Sequence, residues 1–279
     1  MSFVKKYAKK YWKPFFAALA FLSLEAFCDL LQPTIMSRIV DVGVANRDLR
    51  YVLNVGGIML LVTALGAVGA ICRNAISSKV SQKFGADLRL DLFKKIHSLS
   101  LENIDRFETA SLVTRLTNDV TQVQNFANGM MRIFVKAPIL CVGSLIMASL
   151  INLRMAIVLV VVVPIVILLI YLNMHIGYPF FTKVQNSLDN VNSVMREYLS
   201  GVRVVKAFNR FAYETERFER ANSNLSEVSA TAMRVMAVFT PGVTLTVNIG
   251  TIAVLWLGGR WVNVGKIQVG QVIAFINYM

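Results

Sequence analysis

The sequence is poor in the residues that build most soluble catalytic and metal sites. Its 279 residues include two histidines and three cysteines. Cys28, Cys72 and Cys141 each lie inside an apolar stretch, with no CxxC pair and no spaced His/Cys set. This excludes a cysteine–histidine metal site and a disulfide framework, and reads the three as free, buried thiols. The single Gly-Lys pair, Gly265-Lys266, is followed by Ile267 and lacks the upstream glycine of G-x4-GK-[ST], so there is no phosphate-cradling P-loop. No Pro/Gly-rich linker or low-complexity tract is present, which excludes disorder. Acidic residues are also scarce, 16 against 29 Lys and Arg, for a formal charge of +13. In a soluble protein that excess would suggest nucleic acid or an acidic partner.

Apolar residues are what the chain has in abundance, at 56% with a mean hydropathy of +0.57. Val55–Cys72, Ile133–Ile151, Met155–Met174 and Val235–Gly258 run 18, 19, 20 and 24 residues, interrupted only by Lys136. A spanning helix needs about 20. Pro14–Val40 is a further apolar stretch that carries Glu25, Asp29 and Arg38. The last run, Ile267–Met279, ends without a polar anchor, as if a sixth span were cut short. The expected fold is an all-α, multi-pass membrane protein with spans near 15–39, 53–76, 133–151, 155–174, 235–258 and 267–279, the last incomplete.

Lys and Arg are sorted by loop. Five precede the first span, ten fall in Arg73–Lys136 and eight in Lys183–Arg234, whereas the other connections hold five: Arg47, Arg50, Arg154, Arg260 and Lys266. The positive-inside rule then places the N-terminus and both long loops in the cytoplasm of a cell-membrane protein. With its cations explained by the bilayer, the chain gives no reason to expect a nucleic-acid partner.

At the N-terminus, Phe3, Val4, Tyr7, Ala8, Tyr11 and Trp12 share one helical face and Lys5, Lys6, Lys9, Lys10 and Lys13 take the other. The pattern predicts an interfacial elbow helix over residues 1–13, lying in the headgroup region and ended by Pro14. A solvated basic tail is the alternative. A signal peptide is opposed by Glu25 and Asp29 in the would-be apolar core and by the lack of a cleavage site.

The two long loops, Arg73–Arg132 and His175–Arg234, are 60 residues each. Loops of that length are uncommon without structure of their own. Apolar residues recur in them at helical intervals, as in Phe84, Leu88, Leu92 and Ile96. The spanning helices are therefore expected to continue out of the bilayer. Each resulting hairpin breaks near its middle, at Asn103, Ile104, Asp105, Arg106 and Phe107, and at Ala207, Phe208, Asn209, Arg210, Tyr213 and Glu214. Exposed charge beside an aromatic suits docking on another protein. Plain turns with inward-packed aromatics are the alternative.

Two tracts, RF-x3-SLVTRLTNDV from Arg106 and GVRVVKAFNR-x2-YE-x2-RF-x2-AN from Gly201, resemble the coupling regions of ATP-binding-cassette exporters. Gly258-Gly259, Val262, Gly265 and Val269–Phe275 look like that family's entry into its sixth helix. Gln32-Pro33-Thr34 and Arg38–Asp41 look like the first-helix ending in one half of bacterial heterodimeric multidrug exporters. The resemblance covers essentially the whole chain. It implies a six-helix exporter domain over residues 14–279 in a domain-swapped arrangement, with coupling helices at 103–107 and 207–214 resting on nucleotide-binding domains. It also implies a second exporter half as partner, a different one favoured over a copy, and a hydrophobic or cationic small-molecule substrate.

The departure from the family is the missing motor. With neither a P-loop nor an LSGGQ-like signature, the chain is expected to have no catalytic residue and no cofactor of its own. ATP and magnesium are implied for a nucleotide-binding domain absent from this chain, the full-length protein being an ATP-coupled translocase. Candidate cavity residues are Glu25, Asp29, Met59, Met147, Asn248 and Asn277. Glu25 and Asp29 are four apart and face one side of a helix, where buried charge is costly. They form either an electronegative wall for cations, removable without harm to folding, or ion pairs with Arg38, Lys136 or a neighbouring subunit. A second functional class stays open, an ion-coupled secondary carrier with Glu25 and Asp29 as its proton site.

Overall fold

The computed structural model describes residues 2–100, 102–103 and 107–279, and every regular element among them is helical. Helix α1, Ser2–Arg38, passes into a π-helical turn over Ile39–Val44. Helix α2, Leu49–His97, has 49 residues, or about 74 Å of length at 1.5 Å per residue. Asp48 starts it by accepting a hydrogen bond from the Tyr51 amide at 3.0 Å. Helix α3, Thr109–Ile151, contains π-helical turns at Arg115–Asp119 and Met130–Phe134. Asn152 caps helix α4, Leu153–Ala207, accepting from the amides of Arg154 at 3.0 Å and Met155 at 3.3 Å. Helix α5, Phe211–Asn263, is irregular at Val238, where Pro241 offers no amide hydrogen to the Ala237 carbonyl. Helix α6, Val269–Tyr278, opens with a reciprocal cap between Gln268 and Gln271.

Helices α1 to α5 are each long and apolar enough to cross a membrane. They contain the first five expected spans and extend well past most of them. The ten residues of α6 do not reach that length.

The N-terminal segment differs from the expected elbow. Helix α1 does not stop at Pro14 but runs through both Pro14 and Pro33. Packing outweighs the lost hydrogen bond. Tyr7 is buried with Leu88 and Val120, and Tyr11, Phe84 and Leu92 pack around them. Lys6 pairs with Asp91 at 2.5 Å and Lys10 pairs with Asp87, each aspartate also accepting from a tyrosine, Tyr7 and Tyr11 respectively. Tyr7 and Tyr11 of the amphipathic face thus meet α2 and α3, while Trp12 on the same face is 52% exposed.

The chain forms two compact units, Met1–Ala156 with Trp256–Met279, and Ile157–Leu255. In the first, α1 is central, packed against α2, α3 and α6. A stripe of small residues on α2 makes the closest approach possible. Gly66, Gly69, Ser77, Ser81 and Gly85 are all buried, and a Cβ on Gly69 would lie 3.3 Å from the Phe21 carbonyl oxygen. At the other end of α1, the Asp41 carboxylate accepts from the Gly270 amide at 2.6 Å, and the Tyr278 hydroxyl donates to the Leu30 carbonyl at 2.6 Å, tying down α6. The second unit is a hairpin of α4 and α5. Val194, Ala221 and Ala232 are buried in it, Met236 lies against Gly177, and Asn224 donates to Ser187 at 3.3 Å.

Candidate functional site

Three helices of the first unit bring four charges together. Glu25 on α1 is buried and accepts from Arg73 Nε at 2.8 Å on one carboxylate oxygen and from Lys136 Nζ at 2.6 Å on the other. Lys136 also reaches Asp29 at 3.0 Å. The order along the cluster is Arg73, Glu25, Lys136, Asp29, with exposure rising towards Asp29, whose side chain is 40% accessible against 8% for Arg73. Two cations cancel two carboxylates. The pair foreseen on α1 is therefore not a bare negative wall but half of a neutral network linking α1, α2 and α3. Such a network is costly to break from one side, because the remaining charge is buried without its partner.

Lys136 was one expected partner of the pair. Arg73 is a partner the apolar pattern does not name, since a cation directly after Val55–Cys72 reads as an interfacial anchor. Its signal lies in the helical period. Arg73 falls on the same face as Gly66, Gly69, Ser77 and Ser81, the face on which α2 is buried.

Four further cavity candidates lie on α2, α3, α5 and α6. Met59 on α2 and Met147 on α3 are half-buried. Asn277 is exposed and donates to the Ile273 carbonyl one turn back at 3.0 Å. Asn248 is exposed on α5 in the second unit. Among the described residues none of these four hydrogen-bonds to Glu25 or Asp29. A groove of about 900 Å³ lies elsewhere in the first unit, lined by Tyr7, Tyr11, Phe84, Leu88, Val120 and Met131, with Arg115 and Asp119 among its polar residues.

Of the first expected coupling helix, Ile104, Asp105 and Arg106 lie outside the described residues. Asn103 is helical, its amide donating to the Ser100 carbonyl at 3.0 Å, and Phe107 is exposed beneath the Arg115 guanidinium, 5.5 Å from its ring centre. The second tract is not a separate helix. Ala207 ends α4, Phe208–Arg210 form the turn, and Tyr213 and Glu214 belong to the first turn of α5. Asn209 causes this by adopting a left-handed conformation, φ 50°, while the Arg210 amide bonds back to the Val205 carbonyl at 3.0 Å. Asparagine is one of the few residues that tolerates that helix-ending geometry. Phe208, Phe211 and Tyr213 are all exposed at this tip, Phe208 at 74%. Phe211 was not among the foreseen residues, although it sits between two that were. Glu214 is instead largely covered, in a small crevice with Tyr198 and Phe218. Nearby, Arg217 hydrogen-bonds Glu197 and holds its carboxyl below the usual range.

A bundle of apolar helices, two of them joined through an aromatic tip far from the spans, is matched by one family over nearly its full length: the ABC transporter transmembrane region, over residues 15–279. The chain belongs to this family. An uncharacterized ABC transporter ATP-binding protein of Bacillus subtilis is 35% identical over 261 residues, covering 94% of this chain and 46% of that protein. One from Mycobacterium tuberculosis is 38% identical over 263 residues, 94% of this chain and 45% of its own length. An ATP-dependent lipid A-core flippase of Chromohalobacter salexigens is 26% identical over 270 residues, 97% of this chain and 46% of the flippase. The chain thus spans less than half the length of these relatives. It is an all-α membrane domain of the exporter type.

Proposed function

We propose that this chain forms one half of the translocation pathway of an ATP-driven exporter of amphiphiles, powered by nucleotide-binding domains that engage the tips of its helical hairpins. The carrying observation is the α4–α5 tip, where Phe208, Phe211 and Tyr213 are exposed on a turn at the end of a 55-residue helix. A transporter driven from outside the bilayer needs such an arm; a self-contained carrier does not. The carrier alternative is further disfavoured because both Glu25 carboxylate oxygens are already taken up by Arg73 and Lys136.

A self-neutralised cluster gives cations no special attraction, so the substrate is a lipid-like amphiphile. The relatives named as lipid A-core flippases support that class. A second, homologous half completes the pathway, and the hairpin tips face the cytoplasm. ATP and magnesium act in the partner domains.

The test joins the chain to its nucleotide-binding domain and measures ATP hydrolysis with and without amphiphile. Buried aromatic anchors typically contribute about 2 kcal/mol or more at an interface. Phe208→Ala with Tyr213→Ala should abolish stimulation by substrate while substrate binding persists. Undiminished stimulation would remove the tips from the coupling path.

A further inference from the structure

The cations on the side with few positive charges are opposed by the rule that sorts the rest. Two of them, separated by more than a hundred residues in sequence, converge in the first unit. Arg154 in the first turn of α4 and Lys266 on the α5–α6 connection line one cleft of about 440 Å³ with Asn152, Leu153 and Trp261. Both cations are exposed, and among the described residues neither meets a carboxylate. Near the end of α5, the Arg260 guanidinium lies over the Trp256 ring, 5.4 Å from its centre.

The cleft is built on a fixed floor. Met155, next to Arg154, is fully buried, and Ile267, next to Lys266, is 6% exposed. Gly258 lets α5 close on α6 and on the start of α4, for a Cβ there would meet Val272 Cγ2 at 2.8 Å and Met155 Cε at 3.2 Å. The Gly265 backbone, φ 69°, makes the turn that presents Lys266. Two cations thus stand over a rigid apolar base, with an indole and the 72%-exposed Leu153 at its rim.

We propose that this cleft binds the phosphate of an anionic lipid headgroup in the adjoining leaflet. Guanidinium supplies a planar fork for phosphate oxygens and ammonium a point charge. Tryptophan favours the headgroup level, where one end of its ring is wet and the rest apolar. The exposed leucine and indole favour a phosphate that carries acyl chains over a free anion. The assignment requires only that the start of α4 and the α5–α6 connection lie at a membrane face, so it stands or falls separately from the exporter reading.

The experiment uses the chain in nanodiscs of phosphatidylcholine, with or without a minority of phosphatidylglycerol. Phosphatidylglycerol should raise the thermal midpoint and be retained in native mass spectrometry. In Arg154→Gln with Lys266→Gln the rise should vanish and retention fall about 30-fold, the loss expected for two basic contacts near a membrane surface. Lys94→Gln with Lys95→Gln removes equal charge elsewhere and should keep the rise, as should Arg154→Lys with Lys266→Arg. A rise that survives the double Gln variant, or that disappears equally in the Lys94/Lys95 control, would overturn the site in favour of long-range attraction. Inorganic phosphate producing the same rise in phosphatidylcholine discs would overturn the lipid assignment.

Discussion

The two units hold their helices together by opposite means. In the first, α1, α2 and α3 close around buried charge, with Glu25 bonded to Arg73 and Lys136 on a face cleared by small residues. In the second, α4 and α5 meet through apolar contacts, the neutral Asn224–Ser187 hydrogen bond and an exposed Arg217–Glu197 pair. Buried charges that must find their partners permit one register of the helices, whereas apolar contacts between long helices permit several at similar energy. The first unit is therefore expected to be the more sharply specified, and the second the more tolerant of substitution.

The largest test of this contrast is to break the network from one side. Arg73→Met leaves Glu25 buried with a single cation and should cost about 3–5 kcal/mol in denaturant unfolding of the purified chain. Adding Glu25→Met should recover most of that loss, since the apolar pair carries no unmet charge. In the second unit, Glu197→Gln should leave the unfolding midpoint unchanged, because the pair it removes is solvated. A comparable loss from the two single substitutions would erase the distinction between the units. The double neutralisation Glu25→Gln with Asp29→Asn is likewise expected to lower folded yield, contrary to a free cavity wall.

A smaller effect sharpens the role of the small-residue face. Gly69→Val would press side-chain atoms on the Phe21 carbonyl and should cost about 1–3 kcal/mol, as overpacking does. Gly201→Val in the second unit meets open space and should cost nothing, since valine exceeds glycine in helix propensity by under about 1 kcal/mol. The same unfolding assay compares them.

The smallest effect concerns the N-terminal turns of α1. Hydrogen bonds from Lys10 and Tyr11 hold Asp87 below the usual carboxylate range, and those from Lys6 and Tyr7 do the same for Asp91. A carboxyl lowered on folding stabilises the folded state above its unfolded value, near about pH 4, and loses that contribution as pH falls through its folded value. A spin label at position 9 should become more mobile below about pH 4 and stay constant above it. Mobility that is flat into that acid range would assign the attachment of this segment to its buried tyrosines alone.

The membrane class, the approximate spans, the long helical extensions and the family tracts are all properties of windows of about twenty residues. Hydropathy, cation sorting and motif spacing act locally, so the sequence by itself determined them. Pro14 shows where a local rule yields. The helix break it predicts is overridden by Tyr7 and Tyr11 packing on α2, a contact between residues about eighty apart. At the second tip, Asn209 decides between a turn and a short helix, and its left-handed backbone is compatible with the sequence without being dictated by it. The neutral cluster belongs wholly to the tertiary structure. Glu25 meets Arg73 across 48 positions and Lys136 across 111. Spacing alone places Glu25 and Asp29 on one face, but only the packing of α1 against α2 and α3 decides whether that face meets a cavity or two cations. The same holds for Arg154 and Lys266, which share a cleft because α4 and α6 begin on a common buried floor.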